Sequence, residues 1–263
     1  MATQLAANLT MLFGEMEFLD RFEAAAQAGF RGVEFLFPYA YEARELQRRL
    51  RDHSLAMVLH NLPAGDWAAG ERGIGCLPDR VDEFKQGVEQ AITYATALGC
   101  TRVNCLAGKL PPGLDPAVAR DTLIANLRYA APRLKEAGVA LLIEPINTRD
   151  VPGFFLSGTK QSIDIIDAVG SDNLWLQYDI YHMQIMEGDV APAIARLLPR
   201  IKHMQLADVP GRHEPGTGEI DFPTLLSGID RLGYGGWIGC EYVPAAGTVA
   251  GLGWTAPYLR DSV

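Results

Sequence analysis

The chain has 263 residues, of which 48% are hydrophobic and 21% charged, and it carries a net charge of −9 at pH 7. That length suits a single (β/α)8 barrel of roughly 250 residues better than two ordinary domains, so one domain over residues 1–263 is expected. An acidic surface repels phosphate backbones, which argues against nucleic acid as a partner, and no apolar stretch approaches the ~20 residues that span a bilayer, so no membrane partner is expected.

In chain order, the first sixteen residues, MATQLAANLTMLFGEM, lack a basic segment followed by a long apolar run and a cleavage site. One phrase then repeats: an amphipathic helix, a glycine, and a short apolar run ending on a polar residue. Helical periodicity over 17–28 stops at Gly29 and leads to an apolar run at 32–35. Arg44, Arg48, Arg49 and Arg51, spaced helically beside Glu42 and Glu45, read as a solvated helix face. The irregular stretch 61–77 is glycine-rich and long enough to expect a functional loop. Helices at 82–98, 116–137, 159–169 and 221–232 stop at Gly99, Gly138, Gly170 and Gly233. They lead to runs at 102–105, 139–144, 174–179 and 237–241. The glycines suit the left-handed conformation that closes a helix. With runs at 5–9, 56–60 and 201–205 there are eight strands separated by helices. Such alternation makes the strands parallel, and the expected fold is an α/β (β/α)8 TIM barrel. An open doubly wound sheet is the rival, but Leu12-Phe13-Gly14 after the first strand is no GxGxxG phosphate loop. Cys76, Cys100, Cys105 and Cys240 form no CxxC pair and read as buried thiols, which fits a reducing cytoplasm.

Four consecutive strands end in oxygen ligands: Glu144 in LLIEP, Asp179 in LQYD, Gln205 in HMQLAD and Glu241 in IGCEY. The C-terminal strand ends of a barrel share one mouth, where active sites lie. Any one of these alone could be a loop cap or a salt-bridge member; four in successive units point to a site for a hard divalent ion, Mg2+ or Mn2+. His182, three residues after Asp179 on the following loop, is a candidate substrate contact. His60 ends the third strand and either lines the mouth or packs in the core. His203 shares the face of Gln205 one layer deeper, in a supporting role or as a satisfied core histidine. His53 reads as a surface or capping residue. The loop PGRHEPGTGEID, 210–221, contains one guanidinium, Arg212, suited to a carboxylate or enediolate oxygen, or else to a plain pair with Glu214. Trp67 and Trp254 either wall off solvent or pack their own loops.

The segments NLPAGDWAAGERGIG, LLIEPIN, QYDIYHMQ, HEPGTGEI and GCEY together resemble the hydroxypyruvate isomerase and 2-oxo-tetronate isomerase family of the xylose isomerase-like barrels. The resemblance runs from about Asn8 to Trp254. It implies that Glu144, Asp179, Gln205 and Glu241 hold the metal and that Glu144 and Glu241 are the catalytic acid–base pair. Ketose 3-epimerases of the superfamily usually carry histidine where this chain has Gln205, so the glutamine points to the sugar-acid branch. Relatives often read RGEPGTGEI where this chain has Arg212-His213-Glu214, a departure that bears on the loop's backbone. The implied activity is aldose–ketose type isomerisation of hydroxypyruvate and tartronate semialdehyde, or of a close 2-oxo sugar acid. Its carboxylate would be bound by Arg212 and His182, with Lys109 as an outside choice or else an exposed loop lysine, and His60 would be a further substrate contact lining the mouth. The expected partner is a small sugar acid, and assembly into a homo-oligomer is compatible with this reading. The same metal and pair would also serve an epimerase or dehydratase. A barrel endonuclease would want a histidine-rich multi-zinc site and a basic groove, which five histidines and a charge of −9 disfavour. A non-catalytic sugar-binding barrel would leave the acid–base pair unexplained.

Overall fold

The computed structural model describes residues 3–259. Eight parallel strands close into a barrel: β1 (Gln4–Asn8), β2 (Gly32–Glu34), β3 (Ala56–Asn61), β4 (Arg102–Cys105), β5 (Ala140–Ile143), β6 (Leu174–Asp179), β7 (Ile201–Leu206) and β8 (Trp237–Cys240). Each pairs with the next, and β8 returns to β1 with Leu5 opposite Ile238 and Ala7 opposite Cys240. The helices α1 (Arg21–Gln27), α2 (Ala43–Asp52), α3 (Val81–Leu98), α4 (Pro116–Glu136), α5 (Thr159–Val169), α6 (Ile180–Met186), α7 (Val190–Leu197), α8 (Phe222–Arg231) and α9 (Thr248–Gly251) complete the chain, with α6 and α7 together bridging β6 to β7.

The strand and helix boundaries agree with the sequence pattern to within a residue or so, with two informative differences. The first expected helix is split, a 3-10 turn at Phe18–Asp20 preceding α1. His182 does not sit on a loop: α6 starts directly after β6, because the Asp179 carboxylate caps it by accepting from the backbone N–H of Tyr181 at 2.8 Å and of His182 at 3.4 Å. The glycine stops behave as expected, Gly99 and Gly170 closing α3 and α5 at φ 66° and 70°.

The main core lies between strands and helices, where Phe22, Leu46, Val88, Leu127, Ile165, Ile194 and Leu226 are buried against the outward faces of the strands. Burial of side chains this size contributes about 1.5–3 kcal/mol each. Inside the barrel the apolar filling is confined to one end, where Ala6, Val58, Leu59 and Leu142 pack with Trp175 and Trp237. Gly32 leaves room there, since a Cβ at that position would stand 2.7 Å from Cζ3 of Trp237. Two residues further along each strand the inward side chains turn polar: Asn8 follows Ala6, Glu34 follows Gly32, His60 follows Val58 and Glu144 follows Leu142. Asp179 and Glu241 complete the set through Gln177 and Gly239, and all these polar residues are buried. The period of two therefore places a polar layer at the C-terminal mouth.

Candidate active site

Glu144 and Glu241 stand one residue beyond β5 and β8, and Asp179 is the last residue of β6. The carboxylate oxygens of Glu144, Asp179 and Glu241 and a ring nitrogen of His182 all lie within 4.8 Å of one another, the one such group of His, Cys, Asp and Glu side chains among the described residues. Asn104 donates to Glu144 Oε2 at 2.9 Å, and Asn8 donates to Glu241 Oε1 at 3.2 Å. Arg212 reaches in from the loop after β7, its Nη2 lying 2.8 Å from Glu241 Oε2 and 3.9 Å from Asp179 Oδ2. Its guanidinium lies over Tyr181 at 5.0 Å, and its Nε is buried with no partner.

Burial pushes the Glu144 carboxyl well above the usual range, and the neighbouring Glu241 and Asp179 charges push the same way. Burial raises Glu241 as well; Arg212 pulls it down, and Asp179 and Glu34 push it up. Three carboxylates against one guanidinium leave an excess of two negative charges when all are ionised, which a buried site tolerates only with a counter-ion or bound protons. Asp179 Oδ2 is itself buried without a hydrogen-bond partner. A hard divalent cation fits this donor set and would use that orphaned oxygen.

His182 is distinguished from the carboxylates by its neighbour Asn147. The Asn147 Oδ1 accepts from the backbone N–H of Arg149 and Asp150 at 3.0 and 2.8 Å, so its Nδ2 faces His182 Nδ1 at 2.7 Å. Nδ1 must therefore accept. Burial holds the ring's pKa down to about 4 despite the Asp179 charge, so the neutral ring carries its proton on Nε2. That nitrogen lies 3.5 Å from Asp179 Oδ2 and 4.0 Å from Glu144 Oε1. In that tautomer His182 presents a donor to an oxygen in the mouth.

Gln205 is in register with Asp179 on β6 and Gly239 on β8, and both ends of its amide are engaged. Nε2 donates to Glu34 Oε1 at 2.7 Å, and Oε1 accepts from Gln177 Nε2 at 2.6 Å. Glu34 also accepts from Asn8 at 3.0 Å and pairs with His203 Nε2 at 2.7 Å, which puts His203 in a supporting role. Gly239 makes this possible: a Cβ there would overlap the Glu34 carboxylate. His60 is buried, with Nδ1 3.1 Å from the Asn61 carbonyl and Nε2 unpartnered; burial lowers its pKa to about 4. Lys109 is not brought into the carboxylate group; its Nζ donates to the Gly70 carbonyl at 2.9 Å and ties down the long loop after β3. Trp67 packs on Phe37 of the segment after β2 and under Arg72 of its own loop, and Trp254, in a 3-10 turn at Leu252–Thr255, packs on Tyr242. Sequence reasoning missed Asn8, Glu34, Asn104, Asn147 and Gln177. Asn8 and Glu34 end strands β1 and β2 as polar residues, the same signal that singled out the last four strands, and Asn104 is the residue before the last of β4.

A closed parallel barrel with its acidic residues at the C-terminal strand ends defines a class, and the chain belongs to the xylose isomerase-like TIM barrel family, whose model matches residues 22–258. Within that class it belongs to the hydroxypyruvate isomerase and 2-oxo-tetronate isomerase family of enzymes. It is 55% identical to the hydroxypyruvate isomerase of Escherichia coli over 97% of this chain and 99% of that one. It is 51% identical to the 2-oxo-tetronate isomerase of Cupriavidus necator over 97% and 98%. The crystal structure of an AP endonuclease, family 2, from Brucella melitensis superposes with a TM-score of 0.96 at 45% identity, over 99% of this chain and all of that one.

Proposed function

We propose that this chain interconverts hydroxypyruvate and tartronate semialdehyde, or the corresponding four-carbon 2-oxo acids, with Mg2+ or Mn2+ held by Glu144, Asp179, Gln205 and Glu241. The observation that carries the reading is the pair of buried carboxyls, Glu144 and Glu241, raised by burial at one mouth. Its support from relatives is the names of the E. coli and C. necator enzymes. The group of three carboxylates and one histidine favours this chemistry over the endonuclease activity named for the Brucella protein, since a histidine-rich zinc cluster is absent among the described residues. Four free, buried thiols agree with the reading of a reducing, cytoplasmic setting, and no helix among the described residues is long and apolar enough to cross a membrane.

Hydroxypyruvate has its ketone at C2 and a hydroxyl at C3; the product has them exchanged. One glutamate takes the proton from C3 and leaves an enediolate, and the other returns a proton to C2. The hydroxyl proton passes from O3 to O2, so composition is unchanged. Burial raises both carboxyls and a coordinated cation would lower them again, and these opposed shifts keep one able to accept a proton and the other able to donate one. Bound Mg2+ or Mn2+ would supply Lewis-acid stabilisation of the charge that develops on the substrate oxygens. His182 Nε2–H donates to one of those oxygens, and Arg212, through its unpartnered Nε, binds the substrate carboxylate. His60 Nε2 is a further unpartnered nitrogen for the substrate. Lys109 acts by fixing the long loop after β3 through the Gly70 carbonyl. The test is hydroxypyruvate turnover after chelation and after restoring Mg2+ or Mn2+. Loss and recovery are expected. Full activity in protein shown by elemental analysis to be metal-free would remove the metal from the reaction.

A further inference from the structure

Asp208 lies two residues beyond β7 and is 1% exposed. No lysine or arginine is paired with its carboxylate among the contacts described. It is instead saturated by backbone N–H groups of the loop that follows: Oδ1 accepts from Val209 at 2.9 Å and Ile220 at 3.1 Å, and Oδ2 from Gly216 and Gly218 at 2.9 Å each. Converging amide groups make an anion-binding concavity, and here the anion is the chain's own. Gly218 is required for closure, because a Cβ there would overlap the Val209 carbonyl and stand 2.7 Å from Asp208 Oδ1.

The loop drawn tight in this way carries Arg212. Its N–H donates to the Asp208 carbonyl and its own carbonyl accepts from Val243, both at 2.9 Å, which holds a non-glycine residue at φ 55°. Such a conformation is unfavourable for an arginine and persists where its surroundings fix it. Glu214, 8% exposed, accepts from the Ala245 N–H at 3.0 Å and fastens the loop's far side to the segment after β8. The backbone is determined on both sides of one side chain, whose Nη2 lies 2.8 Å from Glu241 Oε2 and whose Nε is buried without a partner.

We propose that Asp208 is a positioning residue: it gathers the loop 209–220 around its carboxylate so that Arg212 is held in place before the substrate's carboxylate arrives. This rests on the reading of Arg212 as the carboxylate-binding residue. It goes beyond that reading in assigning the arginine's placement to a residue that touches neither substrate nor metal.

Three variants test it. Asp208→Asn puts an amide NH2 against two of the four N–H donors. Gly218→Ala opens the same cage while keeping the carboxylate, and covers the case in which Asp208→Asn fails to fold. Arg212→Lys is the reference. An interaction made equally in ground and transition states appears in KM, and a misplacement of about 1 Å costs up to ~10²-fold. Asp208→Asn and Gly218→Ala should therefore raise the KM for hydroxypyruvate by ~10- to 100-fold, with kcat within about threefold of the parent. In the Arg212→Lys background Asp208→Asn should add less than about twofold, because the residue it positions is gone. Independently of turnover, the Arg212 Nε–H resonance, assigned by its loss in Arg212→Lys, should broaden and exchange faster in both cage variants while β7 and β8 amides stay in place. A parent inactive on hydroxypyruvate counts against the proposed substrate only, and the resonance still decides the positioning role. An unmoved Arg212 resonance overturns the proposal. So does an Asp208→Asn effect of the same size with and without Arg212.

Discussion

Replacing Glu144 by glutamine should make the metal-free protein more stable and the metal-loaded protein less so. Without metal, Glu144 shares its site with Asp179 and Glu241 against the single charge of Arg212. Its pKa is raised by burial and by those two neighbours. For an acid whose folded pKa lies above its unfolded value, the folded state binds the extra proton. Stability is then full at pH below the ordinary value of 4.5 and declines as pH rises from there through the raised folded value. Glutamine keeps the shape and an oxygen to accept from Asn104, which now bonds Glu144 at 2.9 Å, and removes the charge. Relief of one excess buried charge is worth on the order of 1–2 kcal/mol, and for a chain of this size each kcal/mol moves Tm by about 2–4 °C. In chelator at pH 8, Glu144→Gln should melt roughly 2–8 °C above the parent, and the gap should shrink at pH 5, where the parent's carboxyls take up protons. Metal reverses the order: ligand at 100 times Kd stabilises by about 2.7 kcal/mol, and the variant has one fewer charge to bind it. Calorimetric melts in chelator and in Mn2+, each at pH 5 and 8, measure all four states. A variant that melts below the parent in chelator at pH 8, or gains as much from Mn2+, would refute the charge-excess argument.

The remaining expectations concern the same layer. Glu144→Gln and Glu241→Gln should each lower turnover by at least ~10²-fold, with the double variant little worse. One of the two should still exchange the C3 proton of hydroxypyruvate with deuterated water, and bound metal must be measured beside each rate. A variant that keeps its metal and turns over near the parent rate removes that glutamate from proton transfer. Gln205→His should retain metal and shift its preference toward zinc or cobalt, since an imidazole N–H can still donate to Glu34, the present partner of Gln205 Nε2; unchanged metal preference by competition titration takes Gln205 out of the ligand set. Gly239→Ala drives a methyl into the Glu34 carboxylate and should destabilise by ~1–3 kcal/mol, and an unchanged Tm would mean that Glu34 moves aside freely.

The barrel and the carboxylates were legible in the sequence because both depend on local pattern. Each helix stop and buried strand is written within a dozen residues, and Glu144, Asp179 and Glu241 are each the last polar residue of such a run. What was not legible depends on closure. Asn8 bonds Glu241 across 233 residues of chain, and His203 meets Glu34 across 169, contacts that exist only because β8 returns to β1 and the inward faces converge. A lone Asn or Glu at a strand end carries no sign of its partner, so the polar residues ending β1 and β2 remained unread although the pattern was the same. Asp208 was hidden for another reason: its partners are backbone N–H groups, which every loop possesses, and only the folded loop shows four of them pointing at one carboxylate.

Arginine at position 212 makes a set of contacts that lysine could not. A planar fork lets Nη2 neutralise Glu241 at 2.8 Å while the face lies over Tyr181 and Nε stays free for a ligand oxygen; an ammonium is a point charge with no second, fixed direction to offer. The same geometry limits what Arg212 can do for stability, because one cation paired with Glu241 and near Asp179 offsets only part of the charge on Glu144. The fold tolerates that excess because its main apolar core lies outside the strands, among the helices, with only a small cluster inside the barrel at the end opposite the mouth. Chemistry and stability therefore occupy different faces of the same strands, and substitutions in the polar layer should change metal and substrate binding before they unfold the barrel.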